Sequence, residues 1–139
     1  VVALHRRRAF GRVRAVEADL FAPATWPRGH DAVLLANVLH DWDDADVARI
    51  LDAAYAALPP GGRCIVLEVL DDDDDDPASH AGPLPAALYS VSMFLGDWRT
   101  GHQYSFRDLD AMLRRAGFDT VERGPECGHF HTAVLAQRP

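Results

Sequence analysis

"LLANVLHDWDDADVARILDAAYAALPPGGRCIVLEVL", residues 34–70, joins two apolar segments through an amphipathic one. The first segment, starting slightly upstream as "DAVLLANVL" (31–39), is almost continuously apolar and suits a strand buried on both faces. Across residues 44–58, Val47, Ile50, Leu51, Ala54, Tyr55 and Leu58 recur at intervals of three and four. Aspartates fill the start of that stretch, where the helix dipole favours negative charge, so it reads as an amphipathic helix. "PPGG" (59–62) stops the helix, and "RCIVLEVL" (63–70) reads as a second buried strand.

Outward from this unit, "RVRAVEAD" (12–19) alternates imperfectly and is expected to be a strand, with "APATWPRGH" (22–30) as a loop. Downstream, "DDDDDD" (71–76) opens an acidic flexible loop expected over 71–83. A further helix is predicted with Leu84, Leu88, Val91 and Leu95 on one face, and "GDWRTGHQY" (96–104) as its exit. Ser105 and Asp108 have capping-box spacing for a helix that aligns Phe106, Leu109, Leu113 and Ala116, and Gly117 is placed to end it. "FDTVER" (118–123) and "HFHTAVLA" (129–136) are strand candidates. Strands alternating with helices imply an α/β sandwich with a largely parallel sheet.

The 139 residues and 48% apolar composition fit one globular domain. No apolar run approaches the roughly 20 residues that span a bilayer, and the first charges follow the apolar residues, opposite to a signal peptide. A cytoplasmic protein without a membrane partner is expected. Six of the negative charges behind the net −7 sit in the aspartate run, which leaves the rest close to neutral. A nucleic-acid partner, which calls for a basic surface, is excluded on that ground. "HRRR" (5–8) reads as a solvated helix face. Cys64 and Cys127 lack metal spacing and read as buried thiols. Successive carboxylates point in different directions, so the aspartate run is a solvated linker and not a cation loop. His129 and His131 share a strand face but have no further ligand in view, and no metal is expected.

Ligands of open α/β sheets bind outside the carboxyl ends of the strands. Asp19, the His40–Asp41 pair and Glu68 all fall at such ends. An imidazole met there by carboxylates from neighbouring strands is suited to moving a proton. At this point "LLANVLHDWDDADVARIL" followed by "ALPPGGRCIVLEVL", with "AGF" (116–118) and "TAVLA" (132–136), carries a resemblance. The chain resembles the S-adenosylmethionine-dependent small-molecule O-methyltransferases, the group of the caffeate, hydroxyindole and many bacterial polyketide enzymes.

The resemblance implies a Rossmann-like methyltransferase sandwich, with S-adenosylmethionine as cofactor and a small aromatic or polyketide-like molecule as acceptor. It makes His40 the general base and Glu68 the carboxylate that orients it. Asp19 would contact the adenine amino group and Leu20 the adenine ring, with Asn37 and Trp42 also on the cofactor. Asp41, Met93, Asp97 and Trp98 fall where family members line the acceptor pocket. A free phenol titrates near ~10 and an unperturbed histidine near ~6.5, so a neutral imidazole can take the proton as methyl transfer proceeds.

Two departures from the family pattern stand out. The family has a second glutamate beyond the histidine, in a "GRERT"-like segment. Counting back from Gly117 puts Gln103 there, while a rival alignment through "GDWRT" puts Trp98 there at the cost of extra residues before the helix. The second departure is that no "DxGGGxG" turn occurs in the 139 residues. The expectation is a partial catalytic domain, 1–139, without the first two strands or the upstream dimerisation domain. In the family sheet order 3-2-1-4-5-7-6 this separates "RVRAVEAD" from "DAVLLANVL" and bares an edge of the latter. A homo-oligomer, or a partner segment completing the sheet, is expected to cover it. Two other functions remain open: a non-catalytic truncated homologue serving as a subunit or interaction module, and an N- or C-methyltransferase on the same fold.

Overall fold

The computed structural model describes residues 14–71, 88, 91, 92, 95, 101–128 and 130–139. Outside the described residues lie the basic cluster 5–8, the loop 72–83, and Leu84, Met93, Asp97, Trp98 and His129. Among the described residues, four strands and two helices have complete bounds, in order β1 (Ala32–Ala36), α1 (Asp44–Ala57), β2 (Arg63–Glu68), α2 (Phe106–Arg115), β3 (Thr120–Cys127) and β4 (His131–Gln137).

The sheet order is β1-β2-β4-β3. This matches 4-5-7-6 of the expected family order, with β1 at an edge. Only β1 and β2 run parallel; β4 is antiparallel to both β2 and β3. The sheet is therefore mixed, and the expectation of a largely parallel one is corrected: β3 returns directly into β4 as a hairpin, which requires antiparallel pairing.

Ladder register places Leu35 beside Val66, Val66 beside Val134, and Cys64 beside Ala136 on one face. Both helices cover that face. α1 contributes Val47, Ile50 and Leu51, all fully buried, and α2 contributes Leu109 and Leu113. Burial of each such side chain contributes about 1.5–3 kcal/mol, which outweighs intrinsic helix propensity as the force holding α1. Asp43 caps α1 by accepting from Asp46 N at 2.9 Å. Leu58 leaves the helix in an extended conformation, and a Cβ on Gly62 would stand 2.8 Å from the Pro59 carbonyl oxygen, so the turn requires glycine there.

The capping box at Ser105 and Asp108 forms as expected, with both reciprocal bonds at 3.1 Å. Gly117 follows α2 at φ 105°, and a Cβ there would lie 3.0 Å from Cε2 of Tyr55. Gly117→Ala is expected to cost about 1–2 kcal/mol, from the left-handed backbone and the ring contact together, measured as a lower urea midpoint at unchanged m-value.

Three further expectations are corrected. Residues 14–19 of "RVRAVEAD" have no regular structure and are exposed. Among the described residues no strand lies beside this stretch, and an unpaired strand has no ladder to satisfy its N–H and C=O groups. β1 is not buried on both faces: Leu35, which packs in the core formed with α1 and α2, is 4% exposed, but Leu34 on the opposite face is 61% exposed. The thiols are both free, but only Cys64 is buried, and burial pushes its pKa up to about 12. Cys127 is exposed at the end of β3.

At the described positions 88, 91, 92 and 95 the chain is helical, with Leu88, Val91 and Leu95 exposed. Among the described residues no helix is long and apolar enough to cross a membrane, and no group of three or more His, Cys, Asp or Glu is placed to hold a metal.

Candidate active site

Beyond Ala36 the chain turns through Asn37, whose φ of 52° lies in the left-handed region that asparagine tolerates better than most residues. The Asn37 N–H still donates to the Leu67 carbonyl at 3.0 Å, and a 3-10 turn, Leu39–Asp41, then carries His40 to the end of β2. Glu68, the last residue of β2, is 2% exposed. Its Oε1 accepts from Val38 N at 2.9 Å and Leu39 N at 2.8 Å, and its Oε2 lies 2.6 Å from His40 Nδ1. A buried carboxylate is costly unless paired; here the bonds it accepts also fix the turn that presents the histidine. As a carboxylate Glu68 can only accept, so Nδ1 carries its proton and Nε2 is the basic nitrogen.

On the other side of the ring, Asp41 Oδ1 stands 3.2 Å from His40 Nε2. Burial alone would lower the His40 pKa, but the hydrogen bond and charge of Glu68 and the charge of Asp41 outweigh it and raise the imidazole above its ordinary value. Asp41 is raised too, by burial first, with the opposing pull of His40 and a smaller push from Glu68.

The Asp19 loop abuts this turn. Asp19 Oδ1 accepts from Phe21 N at 2.9 Å, and the Phe21 ring meets Trp42 edge-on at 4.8 Å, with the Arg49 guanidinium 4.5 Å over its face. Thus the exposed carboxylate of Asp19 and the half-buried Leu20 come to the same sheet end as His40. An acceptor carboxylate beside an apolar side chain fits the amino group and ring of an adenine. For the methionine end of S-adenosylmethionine, the 139 residues contain no glycine-rich turn.

Gln103 is buried in a segment that runs beside the extension of β2, where Asp71 N donates to the Tyr104 carbonyl at 3.0 Å. Asn37 Oδ1 lies 3.0 Å from Nε2 of His131 at the start of β4. Met93, Asp97 and Trp98 lie outside the described residues. Sequence reasoning missed the pairing of His131 with Asn37, the role of the Val38 and Leu39 N–H groups, and the Phe21–Arg49 stack. Only the last had a local signal, an aromatic directly after "DL".

Among the described residues, then, a mixed four-stranded sheet carries a buried His–Glu pair at the carboxyl ends of its two parallel strands. The chain belongs to the family described as the O-methyltransferase domain, whose model matches residues 2–119. It is 42% identical over 111 residues to 3-hydroxy-5-methyl-1-naphthoate 3-O-methyltransferase of Streptomyces sahachiroi, covering 80% of this chain and 30% of that protein. Among solved structures it resembles the S-adenosylmethionine-dependent methyltransferase SibL in its apo form, with a TM-score of 0.79, 37% identity and coverage of 92% of this chain and 36% of that one. It also resembles human N-acetylserotonin methyltransferase in complex with SAM, with a TM-score of 0.72, 32% identity and coverage of 88% and 32%. The chain therefore spans about a third of the length of these relatives.

Proposed function

We propose that residues 1–139 are part of a methyltransferase catalytic domain that moves a methyl group from S-adenosylmethionine to the hydroxyl of a small aromatic acceptor. The observation that carries this reading is the buried 2.6 Å contact between His40 Nδ1 and Glu68 Oε2, held at the sheet end where the Asp19 loop also arrives. The naphthoate enzyme, by its name, methylates a 3-hydroxyl on an aromatic acid. Bound S-adenosylmethionine would supply an electrophilic methyl group on sulfur.

The chain's own residues supply the proton chemistry. His40 Nε2 takes the acceptor's hydroxyl proton as the oxygen gains its methyl group. Glu68 holds the ring in the tautomer that leaves Nε2 basic, and the bonds its carboxylate accepts from the Val38 and Leu39 N–H groups fix the turn. A general base is typically worth ~10²- to 10⁴-fold, and holding the acceptor oxygen in line with the methyl group can contribute more. Asp19 and Leu20 take the adenine end, with Trp42 and Asn37 near it; Asp41 is assigned to the acceptor side, as the family resemblance also assigns Met93, Asp97 and Trp98, which lie outside the described residues, and Gln103 is a neutral second partner of the base.

A second reading has its own observation. Among the described residues β1 is an edge strand with Leu34 exposed, a place where a second copy or a partner segment would complete the sheet and make the chain a subunit of an assembly. Calorimetric titration of the 139-residue chain with S-adenosylhomocysteine separates the two. Micromolar binding is expected if the cofactor site is assembled. An absence of heat, with light scattering showing association, would move the function to the assembled form.

A further inference from the structure

Each ring nitrogen of His40 faces a carboxylate, and the two carboxylates differ. Glu68, 2.6 Å from Nδ1, is fixed by two backbone N–H bonds and sealed from solvent. Asp41 Oδ1, 3.2 Å from Nε2, is also shielded from solvent, yet among the described residues no hydrogen bond is aligned to it. A proton arriving at Nε2 is met there by the Asp41 charge at 3.2 Å, an attraction that is strong in a site shielded from solvent.

We propose that Asp41 is a positioning residue for His40: it is the second carboxylate of the imidazole and stabilises the proton once Nε2 has taken it. The proposal rests on His40 acting as the base. It answers the replacement of the family's second glutamate by Gln103, whose amide can hydrogen-bond but carries no charge. The steps balance without another reactant. The acceptor O–H bond breaks and an Nε2–H bond forms while the methyl group moves from sulfur to oxygen. The imidazole, neutral between two negative carboxylates, becomes positive between them, and the proton is later lost to water.

Proximity of neighbouring residues is not automatic, because consecutive side chains on a regular helix or strand diverge. Here the tight Leu39–Asp41 turn folds the Asp41 carboxylate back onto the preceding ring. Other charges near this end are engaged elsewhere: Asp43 accepts from Asp46 N at 2.9 Å, and Asp44 Oδ1 lies 3.2 Å from the Tyr104 hydroxyl and 3.7 Å from His102 Nε2. Glu68 from β2 and Asp41 from its own turn are the charges that act on the His40 ring among the described residues.

The test is an NMR titration of the His40 ring nitrogens in the 139-residue chain, comparing wild type with Asp41→Asn, Asp41→Ser, Asp41→Glu and Gln103→Ala. Both neutral substitutions at 41 are expected to move the His40 midpoint down, Asp41→Glu to restore it part of the way, and Gln103→Ala to move it less than Asp41→Asn does. A merely structural role for Asp41 would not produce charge-selective rescue. A midpoint unchanged in Asp41→Asn and Asp41→Ser, or a larger fall in Gln103→Ala, would overturn the proposal. The titration reads the free protein, so a chain that shows the shift while His40→Asn keeps its methyl-transfer rate would sink the reading of His40 as the base and leave the carboxylate pair standing.

Discussion

Glu68→Ala is expected to destabilise the protein by about 3–5 kcal/mol, the range seen when one partner of a buried ionic pair is removed. The cost has two sources. The Val38 and Leu39 N–H groups lose the oxygen they share at 2.9 and 2.8 Å, and His40, 5% exposed, loses its Nδ1 partner. Both losses fall on a core face where Leu39 is fully buried, so water cannot readily replace the carboxylate. Glu68→Gln should behave differently. Its amide oxygen can still accept the two backbone bonds, which limits the loss to about 1–3 kcal/mol. Its NH₂ group, however, would donate toward Nδ1 and drive the proton to Nε2, so the base would be lost while the fold survives. Urea unfolding of both variants, with ring-nitrogen NMR to read the tautomer of the glutamine form, separates the two contributions. A loss below about 1 kcal/mol for Glu68→Ala would show that the pair does not hold the turn.

The parts of this fold that sequence revealed are those with local causes. The α1 face follows from apolar spacing, its end from "PPGG", and the start of α2 from Ser105 and Asp108 three positions apart; each is decided within a few residues. What the sequence misjudged depends on partners far along the chain. "RVRAVEAD" alternates like a strand, but a strand exists only when another lies beside it. "DAVLLANVL" is apolar enough for burial on both faces, yet the structure leaves Leu34 in the open. β3 runs on past Arg123, where the sequence reading ends its strand, through Gly124 and Pro125, because an irregularity in the β3–β4 register between Arg123 and Glu126 accommodates them on an edge strand. At the site, His40 and Glu68 were legible through family resemblance. The return of Asp41 onto the ring and the bond from Asn37 to His131, 94 residues away, arise from the geometry of one turn and the pairing of distant strands.

If the ring takes the acceptor's proton as proposed, and does not touch the adenosyl group, His40→Asn is expected to lower methyl transfer by about 10²- to 10⁴-fold while S-adenosylhomocysteine affinity stays within a few fold. The variant should also remove a pH dependence whose sign is set by the environment of the ring. Burial disfavours the charged imidazole, but Glu68 and Asp41 outweigh it, and the folded midpoint lies above the ordinary 6.5. The folded state therefore binds the proton more tightly than the unfolded chain. The resulting stabilisation is whole below about 6.5 and fades as pH rises through the raised midpoint. Catalysis runs the other way, because only the unprotonated ring can accept a proton, so kcat/KM should climb across the window in which this share of stability declines. Thermal melts and initial rates over one pH series would show the two opposed trends in wild type and neither in His40→Asn. A variant that keeps its transfer rate would remove His40 from the role of base and turn the reading toward a nitrogen or carbon acceptor, which does not need one.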